Sequence, residues 1–189
     1  MEALENNVYK KNETAFIVKN ETEDLNGKFT LQKENGVLFL FGRIKEDGLF
    51  YPYMKDIGTD IKELLINATK NMRKKHPCSI IKLDPKTFPI EIESEMKEMF
   101  AATSTSVYYG ADALADFSKK IEQELYVFQL NEKCTLLCGI NQMDAETAKE
   151  AFEKVEGRLG KEALVFTKEN KLVALSNWQA QELNIGKVK

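Results

Sequence analysis

His76 and Cys78 stand two residues apart, and both are side chains that hold metals or move protons near neutral pH. His76 is the only histidine in the 189 residues. A metal site needs three or four converging ligands, and the chain offers no second pair at a suitable spacing. His76 at a helix end suits the negative pole of the helix dipole, and Cys78, following Pro77, suits a small buried hydrophobe. The other two cysteines, Cys134 and Cys138, lie in YVFQLNEKCTLLCGI, which reads as strand. Four residues along a strand put both thiols on one face but about 13 Å apart. That is beyond disulfide reach and too far for one ion. All three thiols are expected free and reduced, as in a cytosolic protein.

Charged clusters give equally plain readings. Glu169-Asn170-Lys171 has the Glu-x-Lys form of restriction-type nuclease cores, with Asp112 or Asp116 as upstream partners. In a chain with 30 acidic and 27 basic residues such trios arise by chance, and residues 168–171 make a natural polar turn. Arg73-Lys74-Lys75 could grip a phosphate, yet a short cationic run at a helix C-terminus complements the dipole. No glycine-rich phosphate loop is present. The expected set is no catalytic residue, no metal and no cofactor. It demotes an enzyme without excluding one, because carboxylates, Lys and Tyr also move protons.

Aromatic residues are different in kind. Phe50, Tyr51 and Tyr53 surround Pro52, and Tyr108-Tyr109 precedes Gly110, both in stretches that read as loops. Rings exposed on loops are the residue types that dominate interaction hot spots, being large, rigid and polar at one end. These five, with Trp178 in the tail, are the candidate binding residues. The competing reading folds both loops back over the core edge.

The elements that must position these groups follow from periodicity. Residues 15–18 form a first short strand. Phe29 and Leu31 begin a hairpin that turns at Asn35-Gly36, a pair that accepts positive φ at both positions, and returns through VLFLFGRI, apolar on both faces and so expected central. A helix capped by Thr59 or Asp60 carries Ile61, Leu64, Leu65, Ala68 and Met72 in one stripe. Residues 78–83 read as strand. A second helix is expected after Pro89, with Ile92, Met96, Met99 and Phe100 on one side and Glu91, Glu93, Glu95 and Glu98 on the other. A third spans 111–124, a hairpin spans 125–140, and a fourth helix is capped by Asp144 and closed near Gly160. A last hairpin runs over 163–167 and 172–175.

Antiparallel hairpins with helices between them define an α+β class: a sheet covered by about four helices. The reading is one domain over 1–189, ragged at about 1–13 and 179–189. The two long hairpins also admit a pseudo-repeat of ββαβ halves over 28–83 and 125–176. With 43% apolar and 30% charged residues and a formal net charge of −3, the chain is expected to be globular and acidic. That balance argues against nucleic acid as a partner. No apolar stretch reaches the roughly 20 residues of a membrane span, and the N-terminal residues lack the apolar core of a secretory signal. The expected function is therefore a non-catalytic cytoplasmic module that binds another protein through its aromatic loops, in the manner of an inhibitor, adaptor or immunity protein. The alternatives are a small-ligand-binding or sensing domain with a pocket between sheet and helices, and a structural subunit of a larger assembly. A homo-oligomer is compatible with either.

Overall fold

The computed structural model describes residues 8–21, 25, 27–55, 57–84, 98–103 and 105–186. The chain divides into two compact units, Met1–Pro77 and Cys78–Lys189. Both are α+β, with antiparallel sheets and helices packed against them.

The first unit is built on β3 (Val37–Ile44), which is buried along its length apart from Ile44. A strand that is apolar on both faces must be covered on both, and it occupies the middle of its sheet. On one side it pairs with β1 (Thr14–Asn20), in a register that sets Phe16 opposite Phe41 and Val18 opposite Phe39. Its other side is shared. β2 (Leu31–Glu34) takes residues 37–40 and β4 (Phe50–Pro52) takes residues 42–44. The β2–β3 turn forms at Asn35 and Gly36, whose φ values of 49° and 78° are the left-handed backbone this pair accepts.

The helix α1 (Ile61–Lys75) is capped by Asp60, whose carboxylate accepts the Lys62 N–H. Its buried side, Leu64, Asn67, Ala68 and Met72, faces inward, and the helix packs on β1. Asn71 Nδ2 donates to the Lys11 and Thr14 carbonyls, and Met72 Sδ accepts from the Phe16 N–H. The helix thereby occupies polar groups along the outer edge of β1, which would otherwise be free to recruit another strand. The expectation that residues up to 13 are ragged is corrected over 8–13. Tyr9 is held by Glu63 and Asn67, and Glu13 by Arg43, because buried polar groups on the sheet and helix require partners there.

The second unit is a six-stranded antiparallel sheet in the order β10-β9-β7-β8-β6-β5. Its strands are β5 (Ile81–Lys82), β6 (Phe100–Ala102), β7 (Leu125–Gln129), β8 (Thr135–Gly139), β9 (Leu164–Phe166) and β10 (Leu172–Ala174). Alternation along β7 splits the core. Tyr126 and Phe128 pack with Cys138, Val165, Ala148, Phe152 and Leu175 on one face. Leu125 and Val127 pack with Leu137, Phe166, Val107 and Leu114 on the other. So α2 (Ser106–Tyr109) and α3 (Ala111–Ile121) cover one face, and α4 (Ala145–Glu153) and α5 (Leu175–Gly186) the other.

Asp144 caps α4 as expected, accepting the Thr147 N–H at 2.7 Å. That helix ends at Glu153, short of Gly160, and beyond it Leu159 donates its N–H to the Gln129 carbonyl. The helix expected after Pro89 falls largely outside the described residues; of its stripe, Met99 is buried and Phe100 opens β6. The tail expected to be ragged from 179 is instead helical through Gly186. Glu162 secures its start, accepting the Ser176 N–H and hydroxyl at 2.8 and 3.1 Å.

Candidate functional site

Residues Phe50–Pro52 are strand and not loop, paired with Gly42–Ile44 of β3. Tyr53 points inward and is 0% exposed. Its hydroxyl lies 3.0 Å from Thr14 Oγ1 and accepts the Lys10 N–H, while the Tyr9 ring meets it edge-on. Burial pushes its pKa up. The expectation that Tyr53 projects outward is thus corrected: it belongs to a polar group with buried Thr14, half-exposed Tyr9 and buried Asn67. Close by in the same sheet, Arg43 is 4% exposed with its Nε 3.3 Å from Glu13 Oε2.

Phe50 and Tyr51 are half-exposed. Phe50 has an internal task, because its ring lies where a β-carbon on Gly42 would stand, and a strand glycine leaves just such a gap. The tip between β3 and β4 is held by Asp47. One carboxylate oxygen accepts the Leu49 N–H at 2.9 Å and the other the Tyr51 hydroxyl at 2.8 Å. Lys45 Nζ stands 4.2 Å from the Tyr51 ring centre. Gly48, at φ 77°, makes the bend. Leu49 is left 59% exposed beside these two rings. The tip is therefore an apolar and aromatic projection fixed in place by its own hydrogen bonds.

Those bonds lower the Asp47 pKa, the Leu49 N–H contributing most and the Tyr51 hydroxyl next. A carboxylate depressed in the folded state adds stability above its unfolded pKa and loses it as pH falls through the folded value. The tip is accordingly expected to keep its geometry while ordinary aspartates protonate, and to loosen only below that range. An NMR titration of the Asp47 carboxyl carbon checks this: its midpoint should lie below ordinary aspartate values and return toward them in Tyr51→Phe. A midpoint at or above the ordinary range would contradict the arrangement.

In the second unit the rings are separated. Tyr109 is 3% exposed, and burial beside Cys78 raises its pKa to about 12, so it too is corrected from loop to core. Tyr108 is half-buried, and its hydroxyl donates to Gln129 Oε1 at 2.8 Å. Trp178 donates its indole N–H to Glu124 Oε2 at 3.1 Å and meets Tyr126 edge-on. Tyr108 packs on the α2–α3 face of the sheet and Trp178 on the α4–α5 face, so the sheet stands between them.

The residues first weighed for chemistry stay apart. His76 ends α1, its N–H bonded to the Met72 carbonyl, and is exposed. The cysteines are free thiols, and burial raises the pKa of all three, Cys138 to about 12, which opposes thiolate formation at neutral pH. Glu169 sits at the β9–β10 turn, where Asn170 adopts φ 59°. Among the described residues, no three His, Cys, Asp or Glu side chains gather as a metal-holding group, and no helix is long and apolar enough to cross a membrane. Sequence reasoning missed Leu49, although an apolar residue directly after an Asp-Gly bend is a legible sign of an exposed tip. It also missed Ile66, which breaks the polar side of α1 and is 66% exposed.

No known family, curated protein or solved structure matches the chain.

Proposed function

We propose that the protein is a non-catalytic, cytoplasmic protein-binding module whose first unit makes contact through the β3–β4 tip. The observation that supports this reading is the exposure of Leu49 beside Phe50 and Tyr51 in a tip already ordered by Asp47. Rigid apolar projections bind with little loss of conformational freedom, and their few residues carry most of the affinity. The original aromatic set narrows in this reading to Phe50 and Tyr51, with Leu49 added.

The test compares capture by the wild type and by the Leu49→Ala/Tyr51→Ala pair from extract of the native host, quantified by mass spectrometry. Both side chains lie outside the core, so the melting temperature should hold, while one captured protein should bind the variant at least about fivefold more weakly, the usual hot-spot threshold of about 1 kcal/mol. Identical capture profiles would refute the tip as the contact.

A second reading has its own observation. A cleft of about 620 Å³ opens between Phe29, Leu31, Ile57 and Ile61, with Lys55 and Asp60 beside it, a volume typical of small-ligand sites. A thermal-shift panel of nucleotides and metals separates the two. Silence accompanies the tip reading, and a shift of several degrees with one compound would favour the cleft.

A further inference from the structure

The outer side of α1 carries a feature that its packing does not use. Leu64, Asn67, Ala68 and Met72 face the sheet. Away from them, Leu65, Ile66 and Thr69 form the apolar floor of a shallow, open groove between side-chain ridges of the helix itself, bordered by Lys70, Arg73 and Lys74. The helix bears five cations, Lys62, Lys70, Arg73, Lys74 and Lys75, against the single carboxylate Glu63, which already accepts the Tyr9 hydroxyl. The chain as a whole carries −3, so this helix is a local inversion of its charge.

We infer that this groove docks an acidic amphipathic segment of a partner protein, one apolar side chain resting on Ile66 and Leu65 and its carboxylates meeting Lys70 and Lys74. Charge complementarity selects the occupant. Nucleic acid would use the lysines but gain nothing from an apolar floor between them. A membrane-surface helix needs a wide apolar face free to enter the lipid, whereas the wide apolar face of α1 is buried in its own unit. A peptide laid in a groove uses both halves of the surface, the apolar anchor giving affinity and the lysines giving rate and orientation. The inference does not depend on the β3–β4 tip.

The experiment uses the full chain and a fluorescein-labelled synthetic peptide rich in Glu and Leu, read by anisotropy at low and high salt. Ile66→Ser should weaken binding about tenfold at either salt concentration. Lys70→Glu with Lys74→Glu should weaken it about tenfold or more at low salt, with the difference shrinking as salt screens the charges. Both sites are exposed, so melting should hold; should Ile66→Ser unfold the unit, the lysine pair carries the test. Tyr51→Ala should bind the peptide as the wild type does, so failure of the tip reading and failure of this one remain distinguishable. Equal binding by the wild type and both groove variants overturns the proposal. So does no binding at all, or loss of binding to phosphatidylserine vesicles or duplex DNA, and not to the peptide, in the lysine variant.

Discussion

Gly42→Ala is expected to destabilise the first unit by about 3 kcal/mol, at the upper end of what overpacking costs. The cause is space and not backbone conformation, since Gly42 lies in a regular strand opposite Ala15 and Pro52. A β-carbon there would fall 2.6 Å from Phe50 Cζ and would also meet the Tyr51 carbonyl oxygen. The ring can rotate away, but the carbonyl belongs to the paired strand and can retreat only by separating β4 from β3. Urea unfolding measures the loss. Hydrogen exchange should show it first at the amides that pair β3 with β4, ahead of those pairing β3 with β1. Adding Phe50→Ala should recover only part of the stability, because it relieves the ring and not the carbonyl. Gly139→Ala is the control. The atoms nearest its β-carbon belong to the Gln123 side-chain amide, whose flexible end can move at the cost of one exposed hydrogen bond from the Asn141 N–H, and it should cost well under half as much. Unchanged stability in Gly42→Ala would mean that β4 does not pack as described, and the tip would lose the base on which its rigidity rests.

The hairpins and three helices were legible because their signals are local. Asn35-Gly36 states its own turn, Asp60 and Asp144 announce helix starts, and VLFLFGRI shows by being apolar on both faces that it is central. The hidden parts depend on contacts between segments distant in the chain. Tyr51 and Tyr53 are two apart and share a face on an extended chain, so what separates them is what covers each: Tyr53 packs against Thr14 and Tyr9, while Tyr51 is held by Asp47 at the β3–β4 tip. Nothing local in the stretch points to those distant partners, so the expectation puts all three aromatics on the surface together. Tyr109 departs from expectation for a related reason: a single helical turn puts Tyr109 inward and leaves Tyr108 half outward. In α5 the sequence LSNWQAQELNIG has only a weak apolar stripe, so nothing local marks it as helix. What starts it is Glu162, on a different segment. Of the candidate binding residues, Phe50, Tyr51, Tyr108 and Trp178 keep partly exposed rings, and each is tied to neighbours that spacing alone could not reveal.

Glu124→Ala carries the second large expectation, a loss of about 3 kcal/mol centred on α5. Glu124 lies just after α3, whose end is marked by Glu122 in the left-handed region, and it is 8% exposed. One carboxylate oxygen accepts the Lys168 N–H at 2.9 Å from the β9–β10 turn, and the other accepts the Trp178 indole N–H. A buried carboxylate in this position joins three segments far apart in sequence. Hydrogen bonds to a charged group are worth about 1.5–3 kcal/mol each, and truncating the acceptor leaves two donors without it. Glu124→Gln keeps the length but offers one oxygen and one donor to two donors, so a loss of about half that size is expected. Trp178 is the only tryptophan, so its emission reports this site directly. In Glu124→Ala the emission should shift to the red and become accessible to a soluble quencher before the global transition, as α5 leaves the Tyr126 ring. Trp178→Phe should reproduce part of the loss, because the ring contact survives and the donated bond does not. Should Glu124→Ala leave emission, quenching and stability as in the wild type, the carboxylate would not be what anchors the last helix, and Glu162 with the packing of α5 on β9, β10 and α4 would have to hold it.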